Sequence, residues 1–243
     1  MEQNGIYSRT ELLVGAEGIE RLKSAKVLVV GLGGVGGYAA EMLCRAGIGH
    51  LTLVDSDVVE PTNLNRQIIA LNSTIGMAKT DLFRQRIKDI NPECDVSVIQ
   101  CFLRDEAMVE LLNTTQYDYV VDAIDTLSPK VFLLYHACQK GFRIVSSMGS
   151  AGKMDPSAIQ VADISKSHTC PLAAMVRKRL HRLGINHGIK VVFSSEKVSE
   201  NATLDEPSQN KRTTIGTISY LPPLFGCFVA SVVIRDIVDC GID

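Results

Sequence analysis

The chain has 243 residues, of which 46% are hydrophobic and 21% are charged. These proportions are typical of a soluble globular protein, and the length allows one large domain or two small ones. The formal net charge of −2 gives no electrostatic case for binding nucleic acid, although it allows a local basic patch.

The first half alternates apolar strands with helices, beginning with a helix over residues 8–23. Further strands are predicted at 26–31, 50–55, 95–101, 118–124 and 142–147, and further helices at 34–47, 76–89, 105–113 and 128–140. Gly47 is expected to stop the second helix. This alternation predicts a Rossmann-like α/β fold with a parallel sheet and right-handed crossovers.

The rhythm changes after residue 149, where the sheet is expected to continue with antiparallel strands. The predicted elements are a strand at 158–163, an amphipathic helix at 170–184, a strand at 189–194, a mobile polar loop at 195–213 and a last helix at 224–239. No repeat or strong linker divides the chain. We therefore expect a single domain over residues 1–243, with a nucleotide-binding half at 8–148 and a mixed half for substrate and dimer contacts at 149–243.

The termini and the cysteines indicate the compartment. The N-terminal segment MEQNGIYSRTE has no apolar signal core, and the apolar run at 224–234 is too short to span a bilayer. No two of the seven cysteines form a C-x-x-C pair, which favours reduced thiols over a zinc ribbon or a disulfide framework. We expect a cytoplasmic protein without zinc and without a membrane partner.

The segment VLVVGLGGVGG indicates a nucleotide site. Gly31, Gly33 and Gly36 form G-x-G-x-x-G between a predicted strand and a helix, and Gly34 is expected to widen the room for phosphate. Asp55 ends the next strand, where its carboxylate can accept hydrogen bonds from a ribose. By itself, this pattern is typical of a dinucleotide site such as that of NAD.

Charged residues beyond the glycine turn favour ATP over NAD. Arg66 follows TNLN, Lys79 stands near the start of a helix, and VVDAIDT places Asp122 and Asp125 at the end of the fourth strand. An adenylyl transferase needs cations for pyrophosphate and a carboxylate for Mg²⁺. Each residue also has an ordinary alternative: a surface cation for Arg66 and a solvated helix residue for Lys79. For the aspartates it is a structural cap for Asp122 and the N-cap of the next helix for Asp125.

The segments GLGGVGG, DSDVVEPTNLNRQ, GMAKTD and VVDAIDT resemble the ubiquitin-activating-enzyme-like adenylyltransferases of the ThiF/MoeB type, over about residues 8–239. The second half is most similar to the tRNA threonylcarbamoyladenosine dehydratase group, through INPECDV, YVVDAIDTLSPK, AGKMDPSAIQVADISKS, PLAAMVRKRL and VVFSSE. The resemblance implies a ThiF-type domain that uses ATP to adenylate the carboxylate of N6-threonylcarbamoyladenosine in tRNA. Ring closure then releases AMP, after pyrophosphate has left.

The resemblance also implies the roles of individual residues. Asn63, Arg66 and Lys79 would grip the triphosphate, and Asp125 would hold Mg²⁺. Arg9 in the YSR segment would reach into the partner subunit's site, which makes a homodimer the catalytic unit; its alternative is an ordinary helix cation. The implied nucleotide contacts are Gly31, Gly33, Gly34, Gly36, Asp55, Asp57, Asn63, Arg66, Gln67, Lys79, Asp125 and Thr126.

The cysteines depart from the pattern of related activating enzymes. Two zinc-binding C-x-x-C pairs are missing, and residues 195–213 contain no cysteine for a thioester step. Cys227 is expected in the core, and Cys170 stands where the dehydratase group carries aspartate. A bound monovalent cation is left open.

A tRNA substrate needs basic side chains that contact phosphate. The helix at 170–184 should carry them on the face opposite Leu172, Val176, Leu180 and Leu183, and its alternative is a solvated cationic face. The candidate RNA contacts are Lys153, Arg177, Lys178, His181, Arg182, Lys211 and Arg212.

Three other functions are left open. One is adenylation of the C-terminal glycine of a ubiquitin-like sulfur carrier. The second is a nucleotide-binding scaffold in a sulfur relay with a cysteine desulfurase. The third is an NAD dehydrogenase, which would need no magnesium.

Overall fold

The structure is a computed structural model that describes residues 5–103, 105–198, 202–204 and 214–238. The strands are β1 (Lys26–Val30), β2 (His50–Asp55), β3 (Asp95–Gln100), β4 (Tyr119–Asp122), β5 (Arg143–Ser147), β6 (Ile159–Asp163), β7 (Lys190–Ser194), β8 (Thr203–Leu204) and β9 (Thr214–Ile215). The helices are α1 (Ser8–Ser24), α2 (Gly36–Ala46), α3 (Lys79–Ile90), α4 (Asp105–Thr114), α5 (Leu127–Gln139), α6 (Pro171–Arg182) and α7 (Leu221–Val238).

Seven of these strands form one sheet in the order β3-β2-β1-β4-β5-β7-β6. All neighbouring pairs are parallel except β6 and β7, which are antiparallel. The predicted α/β fold, with a mostly parallel sheet continued by an antiparallel strand, is confirmed. Apolar residues cover both faces of β1: Val27 and Val29 pack towards α1, α2, α3 and α7, whereas Leu28 and Val30 pack towards α4, α5 and α6.

Several boundaries differ from the prediction for local reasons. The fourth strand ends at Asp122 instead of residue 124, because the Asp122 side chain accepts a hydrogen bond from the Ile124 N–H and turns the chain. The helix predicted from residue 76 begins at Lys79, because Ala78 forms a β-bridge with Val58. Gly47 ends α2 with a φ of +106°, as expected.

The loop predicted at 195–213 contains regular structure in its described part. Thr203 and Leu204 pair with residues 214 and 215 as a two-stranded antiparallel ribbon. The Gly216 backbone then donates to Ala202 O and accepts a hydrogen bond from Gly152 N, each at 2.8 Å. These bonds attach the ribbon to the turn that follows β5.

The C-terminal helix is longer than the predicted apolar run at 224–234. It begins at Leu221, because Pro222 and Pro223 fit the first turn of a helix. Among the described residues, α7 as a whole is the one helix long and apolar enough to cross a bilayer, by length and composition only. More than half of it (56%) is buried inside the protein, where it packs on α1 and α2.

Gly226→Ala tests the close contact between α7 and α2. In an isolated helix this change stabilises by about 1 kcal/mol, because glycine is a poor helix former. Here the added carbon would lie 2.4 Å from Val35 O. We expect overpacking to lower the free energy of unfolding by about 1–3 kcal/mol, measured by urea denaturation. Cys227→Ala, one position along, is the control; a Gly226→Ala variant as stable as the wild type would contradict this packing.

Candidate active site

The carboxyl ends of β1, β2 and β4 lie side by side at one edge of the sheet, which is where open α/β sheets bind ligands. Backbone hydrogen bonds continue this alignment beyond the strands. Gly31 N donates to Val54 O at 2.8 Å, and Ala123 N donates to Val30 O at 2.9 Å. The turns that follow the three strands therefore converge.

The glycines of the first turn have different surroundings. Gly31 has a φ of +91°, and a Cβ on Gly36 would lie 1.8 Å from Gly31 O, so both positions require glycine for the turn itself. Pro222 and Arg66 pack against Gly34 and occupy the space beside it. Gly34 therefore does not widen the room for phosphate, contrary to expectation. A Cβ on Gly33 would meet nothing nearer than 3.8 Å. Gly33 is therefore the position where a ligand can approach the backbone.

Asp55 joins the end of β2 to the glycine turn. Its Oδ2 accepts a hydrogen bond from the Leu32 N–H at 2.6 Å, and its Oδ1 accepts one from the Asp57 N–H at 2.8 Å. Burial raises the pKa of this carboxyl above its ordinary value, although the Lys79 charge and both N–H donors act in the opposite direction. Each oxygen has a further lone pair, so the predicted ribose contact remains compatible with this geometry.

Lys79 is the first residue of α3 and is buried, with only 4% of its surface exposed. The helix dipole opposes a cation at this end, so nearby carboxylates must compensate. The Lys79 Nζ lies 3.1 Å from Asp57 Oδ2, and its charge also acts on Asp55. The alternative of a solvated helix residue is wrong, and the ammonium instead lies beside the two acids of the β2 turn.

Asn63 shapes the loop that carries Arg66. Its Oδ1 accepts a hydrogen bond from Glu60 N at 3.2 Å, and its backbone oxygen accepts hydrogen bonds from the N–H groups of Arg66 and Gln67. The Arg66 Nη1 donates to Thr62 O at 2.9 Å. Burial lowers the pKa of the half-buried Arg66, and the Asp125 charge opposes that shift. Arg66 is therefore anchored between the glycine turn and Asp125, and it is not the free surface cation of the alternative.

Gln67 lies beneath the open side of the glycine turn. It is 8% exposed, and its Nε2 is the atom nearest to a Cβ placed on Gly33. Its Oε1 is buried without a hydrogen-bond partner among the described residues. A buried amide oxygen without a partner is uncommon in folded proteins, which makes Gln67 a polar group available to a bound ligand or water.

The two aspartates after β4 have different surroundings. Asp122 is fully buried, and its Oδ2 accepts hydrogen bonds from Lys130 Nζ and Ser146 Oγ, both at 2.5 Å. Asp125 is exposed at the edge of the sheet. Thr126 occupies the N-cap of α5 without a capping bond from its side chain, so the alternative that Asp125 caps this helix is wrong.

The amino-acid sequence matches the ThiF family over residues 7–242. The chain belongs to the ThiF family. The tRNA threonylcarbamoyladenosine dehydratase of Bacillus subtilis is 43% identical over 233 residues, which cover 93% of this chain and 89% of that protein. The Escherichia coli protein of the same name is 40% identical over 197 residues, which cover 78% of this chain and 73% of that protein.

A solved structure also matches this ThiF-family chain. The crystal structure of E. coli tRNA N6-threonylcarbamoyladenosine dehydratase, TcdA, in complex with ATP has a TM-score of 0.88 and 34% identity. The match covers 96% of this chain and 93% of that one. The resemblance inferred from the sequence motifs is confirmed for both the family and the fold.

Residues 216–222, in the second half of the chain, lie against the turns that follow β1 and β2. Asn65 Nδ2 donates to Thr217 O at 2.9 Å, and Pro222 packs on Gly34. Tyr220 donates its hydroxyl to Met154 O at 2.8 Å. Sequence reasoning missed this segment, because no local motif reveals a contact across more than 150 positions.

Arg9 lies on the exposed first turns of α1 and makes no hydrogen bond or ion pair with any described residue. Leu12 and Leu13 are 77% and 86% exposed on the same segment, before the helix kinks at Gly15. No contact joins Arg9 to the site of its own chain within the described residues. The contribution of Arg9 to a partner's site therefore stays a prediction.

The predicted RNA contacts are divided by the structure. Lys178, His181 and Arg182 are exposed on α6, whereas Arg177 is half-buried and bonds Ser167 at 2.6 Å. Lys153, expected to reach the substrate, is instead buried, and its Nζ donates to Ser194 O at 2.8 Å. Lys211 and Arg212 lie outside the described residues.

The structure also tests the predicted surroundings of Leu183 and of two cysteines in the second half. Leu183, predicted on the buried face of α6, is 45% exposed, because the helix ends before it at Arg182. Cys170 is buried at the N-cap of α6, and Cys227 is half-buried within α7. Neither thiol lies in an exposed position that would favour its reaction.

Gly33→Ala tests whether the open side of the glycine turn receives the nucleotide. The added carbon meets no protein atom within 3.4 Å, so we expect an unchanged Tm. The same carbon would occupy the space of a phosphate, and we expect the Kd for ATP to rise at least about tenfold, equivalent to ~1.4 kcal/mol, by calorimetry. Gly216→Ala, whose added carbon also has room, is the control. Equal ATP affinity in wild type and Gly33→Ala would contradict this assignment.

Proposed function

We propose that this chain is a tRNA threonylcarbamoyladenosine dehydratase. It uses ATP to adenylate the threonyl carboxylate of N6-threonylcarbamoyladenosine in tRNA and then closes a ring with loss of AMP. The observation that carries this proposal is the convergence of an open glycine, two partly or wholly buried cations and an exposed aspartate on one edge of the sheet. Relatives that match most of the chain carry the same name.

The residues present suit ATP better than NAD. NAD carries two linked phosphates, whereas ATP also presents a β,γ-pyrophosphate that must be neutralised as it leaves. Arg66, in the loop after β2, lies beside Gly34, and Lys79, at the start of α3, lies beside Asp57. Both are shielded from solvent there. Charge interactions are stronger in such partly dry surroundings than in water. The unpartnered Gln67 amide adds a neutral polar contact below Gly33.

Asp125 is the residue that would hold Mg²⁺. Its carboxylate is exposed at the edge of the sheet, and a magnesium ion takes one or two carboxylates and completes its shell with phosphate oxygens and water. When bound, the ion supplies charge neutralisation to the pyrophosphate. The Asp125 carboxylate would hold the ion, and it already interacts electrostatically with Arg66.

The reaction requires two nucleophilic displacement steps. A carboxylate oxygen of the threonyl group attacks the α-phosphorus of ATP, and the bond to the pyrophosphate oxygen breaks. The carbamoyl group then attacks the acyl carbon, AMP leaves, and one proton is released to solvent. Positioning and charge stabilisation supply the catalysis: Gly33 admits the phosphates, while Arg66 and Lys79 stabilise the negative charge that develops on them.

The catalytic unit in this proposal is a homodimer in the cytoplasm. Arg9 is exposed on α1, as a residue that acts in a partner's site must be before the partner binds. The exposed Leu12 and Leu13 beside it supply apolar surface for such a contact. An association with a cysteine desulfurase is compatible with this function but has no separate support in the described residues. Adenylation of a sulfur carrier and a purely structural role are less favoured, because the matches to dehydratases extend over most of both chains.

Arg66→Ala tests the proposed reaction. Purified protein is incubated with ATP, Mg²⁺ and tRNA that carries the modified adenosine, and the nucleosides are analysed by mass spectrometry. We expect wild type to convert the nucleoside to a cyclic form that has lost one water, and Arg66→Ala to lower kcat/KM by about 10²-fold. Arg84→Ala, an exposed arginine on α3, is the control. Conversion of ATP only when a carrier peptide is supplied would refute the proposal.

The exposed cations of α6 are expected to contact tRNA phosphates. We expect the double variant Lys178→Ala and Arg182→Ala to raise KM for tRNA without changing KM for ATP. The slope of log Kd against log salt should fall by about one for each phosphate that the variant no longer neutralises. Arg21→Ala with Lys23→Ala, an exposed and a half-buried cation of α1, is the control. An unchanged salt slope would show that α6 is an ordinary solvated face.

A further inference from the structure

A buried polar network lies directly below the turn that carries Asp125. Lys130, Asp122 and Ser146 are all 0% exposed. The Lys130 Nζ donates to Asp122 Oδ2 at 2.5 Å and to Ser146 Oγ at 3.2 Å, and the Ser146 hydroxyl donates to the same carboxylate oxygen. The network joins α5, the end of β4 and the neighbouring strand β5.

The network also fixes the backbone of the turn. The second oxygen of Asp122, Oδ1, accepts a hydrogen bond from the Ile124 N–H at 3.1 Å. The Lys130 N–H donates to Thr126 O at 3.3 Å and begins the hydrogen bonding of α5. Asp125 lies between these two anchored residues, so its Cα cannot move without disturbing one of them.

The glycine turn closes the opposite side of the same segment. A Cβ on Gly31 would lie 2.7 Å from Ala123 O, and one on Gly36 would lie 2.9 Å from Ala123 Cβ. The segment 123–126 is thus held between the turn that receives phosphate and the buried network. The position of Asp125 relative to Gly33 depends on both supports.

We propose that Lys130, Asp122 and Ser146 are positioning residues that hold Asp125 at the metal-bound phosphates of ATP. The inference rests on the proposed function for the identity of the nucleotide and the ion, and it adds the part of the chain that aligns them. None of the three side chains reaches solvent, so none touches the substrate. They act through the Ile124 N–H, which donates to the Asp122 carboxylate.

The chemistry of the network suits a positioning role better than a purely stabilising one. A buried ion pair loses the solvation of both charges, and well-packed apolar residues often give equal or greater stability. Apolar side chains could fill the same volume, but they could not accept a hydrogen bond from the Ile124 N–H. A carboxylate can serve this donor and both Lys130 and Ser146 at once, which links three elements through one group.

Lys130→Met and Asp122→Asn test the proposal by separating metal-dependent from metal-independent binding. The Kd for AMP without metal and the Kd for ATP with and without Mg²⁺ are measured by calorimetry, and Tm is recorded for each variant. We expect AMP binding to change less than about twofold, whereas the gain in ATP affinity that Mg²⁺ produces should fall by about 10–100-fold, as for supporting residues of metal sites.

The control is Glu41→Gln, which removes a carboxylate that is 4% exposed and paired with Arg86 between α2 and α3. It should lower Tm without changing the effect of Mg²⁺. If Lys130→Met does not fold, Ser146→Ala is the substitute, because it leaves the ion pair intact. We expect it to reduce the Mg²⁺-dependent gain in ATP affinity by a smaller factor. An unchanged Mg²⁺ effect in a folded network variant, or an equal loss in Glu41→Gln, would overturn the inference.

The two proposals fail in different ways. If wild type shows Mg²⁺-dependent ATP binding but makes no cyclic nucleoside, the substrate assignment is wrong and the positioning role still stands or falls by its own variants. If wild type makes the cyclic product and the network variants keep the full Mg²⁺ effect, only the positioning inference is wrong.

Discussion

The close approach of two backbone turns is the constraint on which this structure depends. The turn after β1 and the turn after β4 are in contact through Gly31 and Ala123, where even a methyl group would collide. This contact brings the open side of Gly33 to the same sheet edge as Asp125. Asp55 reinforces it from the third strand by accepting a hydrogen bond from Leu32 N. The site is therefore assembled from backbone packing before any charged side chain is added.

Charge then distinguishes this edge from an ordinary dinucleotide site. Lys79 is buried at the start of a helix, where the helix dipole opposes it, and the acids of the β2 turn compensate. Arg66 loses solvent beside Gly34 and interacts with Asp125. These arrangements cost solvation that a folded protein has no structural need to give up. They are explained if Arg66 and Lys79 also serve to bind an anionic ligand such as a triphosphate.

Much of the fold could be predicted from the sequence, because strand and helix periodicities are local. The buried runs of β1 and β4 and the glycine turn were found in this way. Contacts between distant segments could not be found: Pro222 against Gly34, the Lys130 network with Ser146, and the inward direction of Lys153 depend on how the sheet brings its strands together. The N-cap of α5 could not be fixed either, since Asp125 and Thr126 are adjacent and either residue type can occupy an N-cap.

The central claim is that this edge activates a carboxylate by adenylation. The direct test uses tRNA in which both oxygens of the threonylcarbamoyl carboxylate are a heavy isotope, with mass spectrometry of the AMP and pyrophosphate released. The account predicts that one labelled oxygen appears in AMP for each ring closed and that pyrophosphate stays unlabelled. Label in pyrophosphate, or unlabelled AMP together with cyclic product, would contradict an acyl-adenylate and with it the chemistry assigned to this site.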